Sequence, residues 1–331
     1  MSAITANTPA RGNKVHRFFI GVAIGITMFA SLLAAAAPPT GNSFEAGRLE
    51  RVKALGGPVI EGAVRTYYTP GYEKRARNLQ RFVDGERTFV KKELGIDVPL
   101  SLAVLDPAQW KLVERQLPYS MPSVTGDPPV ALMPADWSVA PPDFFPKANE
   151  VEPAAVKTAT AHGLSWNEAN HRAGDLIGGH ELGHAVIEAY GIVPGTHWLN
   201  EMLASYVLYA FLQQERRDLL WLDQLMQAAD PSDRKQRHVS LDDFEAQYMQ
   251  ILTTDGRNYG WYQGQFFGLV RKVYTRKGIG FLREVHAAFP EGEKWFALGN
   301  AETLRRLEDI SPGFVAWARD MNALPRLPDA P

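Results

Sequence analysis

His180-Glu181-Leu182-Gly183-His184, followed after sixteen residues by Glu201, constrains this chain more than any other feature. Residues four apart on an α-helix stand on one face, one turn apart, so His180 and His184 can each turn an imidazole nitrogen toward a common ion. Glu181, displaced by one position, can reach a water on that ion without binding the ion itself. Zinc suits such a set because it accepts mixed nitrogen and oxygen ligands and keeps a position open for water. It also lowers the pKa of that water to about 7. The pattern therefore demands a helix through residue 184, a turn at Gly191, a short return from Ile192 to His197 and a second helix opened by Glu201.

The residues around the motif reinforce this geometry. Gly178, Gly179 and Gly183 crowd the first helix, and glycine costs about 1 kcal/mol of helix stability relative to alanine. Three of them point to close approach of another backbone. The second helix continues Met202-Leu-Ala-Ser-Tyr-Val-Leu-Tyr-Ala-Phe-Leu212 and is apolar nearly all round, which predicts burial. A carboxylate near the start of a buried helix needs a partner, and an ion held by two histidines would supply one.

Composition sets outer limits. The 331 residues include no cysteine, which excludes a thiolate zinc site, a cysteine nucleophile and a disulfide scaffold. Formal net charge is −2 and no long basic run exists, so a nucleic-acid partner is not expected. Residues 1–17 carry Arg11, Lys14 and Arg17 and no acid, and Phe18–Ala37 is uncharged and ends in small residues. That is the layout of a secretory signal cut near Ala36. The rival reading is a retained anchor that ties the protein to a membrane through residues 18–37. Either places the working part outside the cytoplasm, periplasmic or secreted in the first case and membrane-bound in the second.

Periodicity predicts a loose lead-in over 38–60, a helix from Tyr72 to Leu94 stopped by Gly95, a strand over Pro99–Leu105 and a second strand over Val130–Met133. Prolines on both sides of the second strand place it at a sheet edge. Residues 134–165 read as a long surface loop over the site. Ser165-Trp-Asn-Glu168 has the form of a capping box opening one helix that runs through the His motif to about Tyr190. Helices are then expected over Leu199–Gln214 and roughly 217–229, 240–253, 261–275, 279–288, 300–308 and 312–323. The expected fold is α+β: a small mixed α/β lobe (38–165) with an edge strand over the active site, followed by a mainly helical lobe (166–331) that carries the zinc site.

His180-Glu-Leu-Gly-His184 with Trp198-Leu-Asn-Glu-Met-Leu-Ala-Ser-Tyr206 resembles the gluzincin zinc peptidases, the clan of thermolysin and aminopeptidase N, and its wording is closest to the aminopeptidase N branch. The resemblance implies a zincin-like fold, one zinc ion bound by His180, His184 and Glu201, Glu181 as general base, and a peptide or protein substrate laid along Val130–Met133. Tyr259-Gly-Trp-Tyr262-Gln-Gly-Gln-Phe-Phe267 is similar to the segment that carries an oxyanion-stabilising tyrosine in that branch. Tyr262 is the first choice for that role and Tyr259 the second, with His197 and His238 as outside candidates. Glu188 and Ser205 could orient the ligand histidines. The Gly-x-Met-Glu-Asn segment that binds a free amine in the aminopeptidase branch has no counterpart before His180, which leaves endopeptidase and aminopeptidase action both open. The alternative function is a non-catalytic zinc-containing protein of the same fold that binds peptides or serves structure.

Overall fold

The strand pairing runs β1-β2-β3-β5-β4 in a computed structural model that describes residues 47–331 apart from 142–143, 223–224, 226–234, 325 and 328–331. The expected signal or anchor segment and residues 223–224 and 226–229 of the expected 217–229 helix lie outside the described residues. Strands β2 (Arg65–Tyr68), β3 (Ser101–Leu105) and β5 (Val130–Pro134) are parallel, while β1 (Val59–Ile60) and β4 (Ser123–Thr125) join antiparallel at the two edges. Both faces are covered. Leu102, Val104, Ala131 and Met133 face the main core, while Ala103, Leu105, Val130 and Leu132 face a second cluster with Val52 of α1 (Arg48–Ala54) and Trp110 of α3 (Pro107–Val113). Burial on both sides explains why these strands read as unbroken apolar runs.

One expectation is corrected here. Val130–Met133 is not the sheet edge, because β5 pairs with β3 on one side and β4 on the other. Its flanking prolines bound the strand and do not interrupt its ladder, so the interior residues keep their N–H groups for pairing. The edge over the metal helix is β4, a half-buried strand of three residues whose sequence, Ser-Val-Thr, carries little periodic signal.

Helix α2 (Glu73–Leu94) places Ala76, Leu79, Phe82, Val83, Glu86, Phe89 and Val90 on one buried face and ends at Gly95 in the left-handed region, a backbone conformation that glycine adopts without strain. Beyond the sheet, α4 (Pro153–Ala161) forms inside the expected long loop. Ser165 makes the full capping box with Glu168 at the start of α5 (Trp166–Asp175). The expected single helix then divides at Leu176, with α6 (Ile177–Ala189) following. The N–H groups of Leu176 and Gly179 donate tightened i→i−3 bonds to the carbonyls of Ala173 and Leu176, and a glycine-rich sequence yields most readily to such a turn. Helix α7 (His197–Glu215), capped by Thr196, is buried from Trp198 to Leu212 except at Asn200. After it come α8 (Leu241–Thr254), α9 (Gly256–Lys277), α10 (Gly280–Ala288), α11 (Asn300–Ile310) and α12 (Phe314–Asn322). The fold is α+β: the sheet lies in the N-terminal part and the C-terminal part is mainly helical. Residues from Ala46 onward form one compact unit, and the main core draws from the sheet, α2 and the later helices together. Among the described residues no helix is long and apolar enough to cross a membrane.

Of the three glycines expected to admit another backbone, only Gly183 does so; Gly179 admits side chains. A Cβ on Gly183 would sit 2.5 Å from the carbonyl oxygen and 2.8 Å from the Cα of Ala204 on α7, and one on Gly179 would strike Glu86 Oε2 and Leu208. Gly178 has ordinary room, so only two of the three are required by packing. Gly183→Ala is expected to destabilise the protein by about 1–3 kcal/mol through overpacking and to lower its metal content, as read by denaturant unfolding and metal analysis.

Glu86 sits on the apolar stripe of α2, fully buried, and neither carboxylate oxygen has a hydrogen-bond partner. Burial pushes its pKa well above the usual carboxylate range. The folded state therefore holds a proton that the unfolded chain gives up near the ordinary value. The stability tied to that proton is complete below the ordinary value and is lost as pH rises toward the folded one. Glu86→Gln removes this dependence. Between pH 5 and pH 8 its melting temperature should gain on the wild type by about 3 °C or more, whereas parallel curves would mean that Glu86 is ionised in the fold.

Candidate metal centre

The Gly183–Ala204 contact lets α6 lie directly against α7, and this brings three ligating side chains together. His180 Nε2 lies 3.1 Å from His184 Nε2 and 3.2 Å from Glu201 Oε2, and His184 Nε2 lies 3.8 Å from the same oxygen. The two rings stand nearly perpendicular, and both Nε2 atoms lie within 3.8 Å of the same carboxylate oxygen. Ligand atoms about 2.0–2.1 Å from a tetrahedral ion are separated from one another by about 3.3 Å. The observed separations bracket that value. Buried His180, His184 and Glu201 can hold a metal ion, and among the described residues they are the cluster of histidines and acids that can do so.

The surroundings tune each ligand. His180 Nδ1 lies 3.1 Å from Ser205 Oγ, one turn beyond Glu201 on α7, and this contact turns Nε2 toward the cluster. Burial alone would push Glu201 up. The adjacent His184 and His180 and the hydroxyl of Tyr248 outweigh it and hold the carboxylate well below its usual range. Burial brings His184 down to about 4, leaving a neutral imidazole ready to bind. For His180 burial also works downward, but the hydrogen bond and charge of Glu201 raise it. A cation between these donors would take the place of that proton.

Glu201 accepts hydrogen bonds on both oxygens. Tyr248 of α8 donates to Oε1 at 2.6 Å, while Tyr259 and Gln263 of α9 donate to Oε2 at 3.0 Å and 2.9 Å. Burial first, then the charge of Glu201, pushes both phenols well above their ordinary pKa, so they remain donors. Tyr259 thus bonds the oxygen that faces the histidines, and Tyr248 braces the outer one.

Tyr262 is not part of this arrangement, and its expected role is corrected. Its ring is fully buried against Phe244 and Trp261, and its hydroxyl donates to Ser240 O at 2.8 Å. The cause is rotational. On α9, Tyr259 and Gln263 are four residues apart and share the face toward Glu201, whereas Tyr262 and Phe266 share the face toward the core. Among the other candidates, Ser205 lies where an orienting residue should. Glu188 is exposed, and His238 pairs with Asn258 and Gln247. His197 is occupied by Glu245 at 2.8 Å and stacked between Tyr248 and Phe296. Glu245 also accepts the N–H groups of His197 and Trp198, which anchors the positive end of α7.

Glu181 is buried beside the cluster. Burial raises its pKa to about 7 and Glu201 adds to the rise, while His180, Arg48 and the Val124 amide of β4 oppose it. A carboxylate poised near neutrality can both take and return a proton. Tyr248, Glu245, Arg48 and Val124 escape the sequence reading, since each belongs to an element with no motif of its own; Gln263 stands inside the tyrosine segment but is not singled out there, and only the packing of α8, α9, α1 and β4 brings these residues here.

If Tyr248 braces the metal-binding carboxylate, Tyr248→Phe should weaken metal affinity by about 10–100-fold with the fold intact, as measured by chelator competition and circular dichroism. An unchanged affinity would remove Tyr248 from the support of the site. No known protein-family model matches this chain, and no curated protein matches it significantly.

Proposed function

We propose that the protein is a single-zinc peptidase of the gluzincin type. The observation that carries this reading is the convergence of His180 Nε2, His184 Nε2 and Glu201 Oε2 at tetrahedral spacing, with a buried carboxylate of near-neutral pKa on the residue next to His180. Two nitrogens and one carboxylate oxygen, with no thiolate in the chain, are a donor set that zinc takes in hydrolytic sites. Bound there, zinc would polarise both a water and the scissile carbonyl.

The protein's own groups supply the rest. Glu181 takes the proton of the attacking water and later returns it to the leaving nitrogen. With a metal in place, the Tyr259 hydroxyl, which here donates to Glu201 Oε2 at 3.0 Å, would have to turn its single proton from that oxygen to the developing oxyanion, a role that requires a protonated phenol beside the metal position. Tyr248, Gln263 and Ser205 hold the ligands. The half-buried edge strand β4 takes the place first assigned to Val130–Met133, and an extended peptide could add to it through backbone hydrogen bonds. Action outside the cytoplasm belongs to the same proposal and rests on residues 1–37 alone.

Glu181→Gln is expected to keep one zinc per chain and lose about 10²–10⁴-fold in peptide cleavage, measured on a mixed peptide library. A chelator should abolish cleavage by the wild type, and added zinc should restore it. Zinc binding without cleavage of any library peptide would favour the non-catalytic alternative.

A further inference from the structure

Arg48 lies on α1, far in sequence from the motif, yet it is buried beneath the strand that faces Glu181. Its side chain is 3% exposed. One terminal nitrogen bonds Glu114 Oε2 at 2.6 Å, and the other bonds Ser123 O at 3.1 Å and Val130 O at 3.3 Å. Those two carbonyls bracket Val124. Ser123 precedes it on β4, and Val130 is the β5 partner of Thr125, which follows it. The Val124 amide faces the Glu181 carboxylate. Glu114 is itself fixed, its other oxygen accepting the N–H groups of Gln116 and Leu117 at 2.7 Å and 3.2 Å. Arg51 of the same helix bonds Val113 O at 2.9 Å, so α1 is pinned to the end of α3.

We propose that Arg48 is a positioning residue for the base: its guanidinium locks β4 so that the Val124 amide and the positive charge behind it hold the Glu181 carboxylate toward the metal position. The proposal rests on the peptidase reading. Two physical points support it. A buried cation is costly, and an apolar side chain of similar volume would pin α1 at least as well. A group placed only for stability therefore has no need of charge here. In addition, a planar fork can address a carboxylate and two carbonyls together, which a lysine ammonium cannot do with the same geometry.

The test compares wild type, Arg48→Met and Arg48→Lys in the zinc-loaded full chain, using a library peptide that the wild type cleaves. Zinc stoichiometry should stay at the wild-type value in both variants. In Arg48→Met, kcat should fall by about 10–100-fold, the scale of a misplaced catalytic group, with KM changed far less. Amide exchange over residues 119–126 should accelerate about tenfold or more as β4 loosens. Arg48→Lys should recover part of kcat. A folded Arg48→Met with wild-type kcat and wild-type exchange would overturn the proposal, as would a loss confined to KM. If Arg48→Met does not fold, Arg48→Lys decides: reduced kcat at unchanged zinc supports the role, and wild-type kcat ends it. If the zinc-loaded wild type cleaves no peptide, the peptidase reading fails instead. Exchange over residues 119–126 then still decides whether Arg48 locks the strand.

Discussion

The contact between Gly183 and the backbone of Ala204 governs the molecule. Helices usually keep their axes 8–10 Å apart because side chains fill the space between them. At this point one partner has no side chain, and a Cβ would meet main-chain atoms of the other helix within 2.5–2.9 Å. Everything at the centre scales from that approach. His180 and His184 flank Gly183 on α6, and Glu201 and Ser205 flank Ala204 on α7, so seating one backbone on the other sets all the separations between ligands. A wider spacing would leave a buried, ionised Glu201 without the partners that offset its desolvation.

Around this contact the protein separates two buried carboxylates by environment. Glu201 is bonded to His180, two phenols and an amide, with His184 beside it, and these hold it ionised. Glu181 has the neighbouring His180, a backbone amide and a more remote guanidinium on its side, and burial still leaves it near neutrality. Acids pushed apart in this way take separate tasks, one fixed in charge to bind a cation and one free to exchange a proton. The division follows from which elements pack on each residue: α8 and α9 over Glu201, β4 and α1 over Glu181.

The parts of this plan legible in the sequence were those written in local patterns. The i, i+4 histidines, the apolar helix behind Glu201, the Ser165 capping box and the Gly95 stop all act within a few residues, and the structure has each of them. Of the two tyrosines the sequence offers, the first choice, Tyr262, faces the core and the second, Tyr259, faces Glu201, because an aromatic run on α9 presents a phenol to two faces and only the packing of α9 on α7 tells them apart. The edge was misplaced because flanking prolines also fit a strand paired on both sides. The true edge, β4, is too short for any period to register. The division of α5 from α6 at Leu176 reflects tightened hydrogen bonds that no residue-level propensity marks.

The distances along the chain carry a further consequence. His180 and Glu201 are 21 residues apart, so the metal cage needs little more than one helical hairpin. Arg48 and Ser123 are 75 residues apart, and the setting of the base needs the sheet assembled. Local pairs close sooner and at lower entropic cost than distant ones. A newly made chain can therefore capture its ion before it can use it. On the peptidase reading proposed above, competence would then wait on the most long-range step of folding, which would spare a nascent hydrolase from attacking its neighbours or itself.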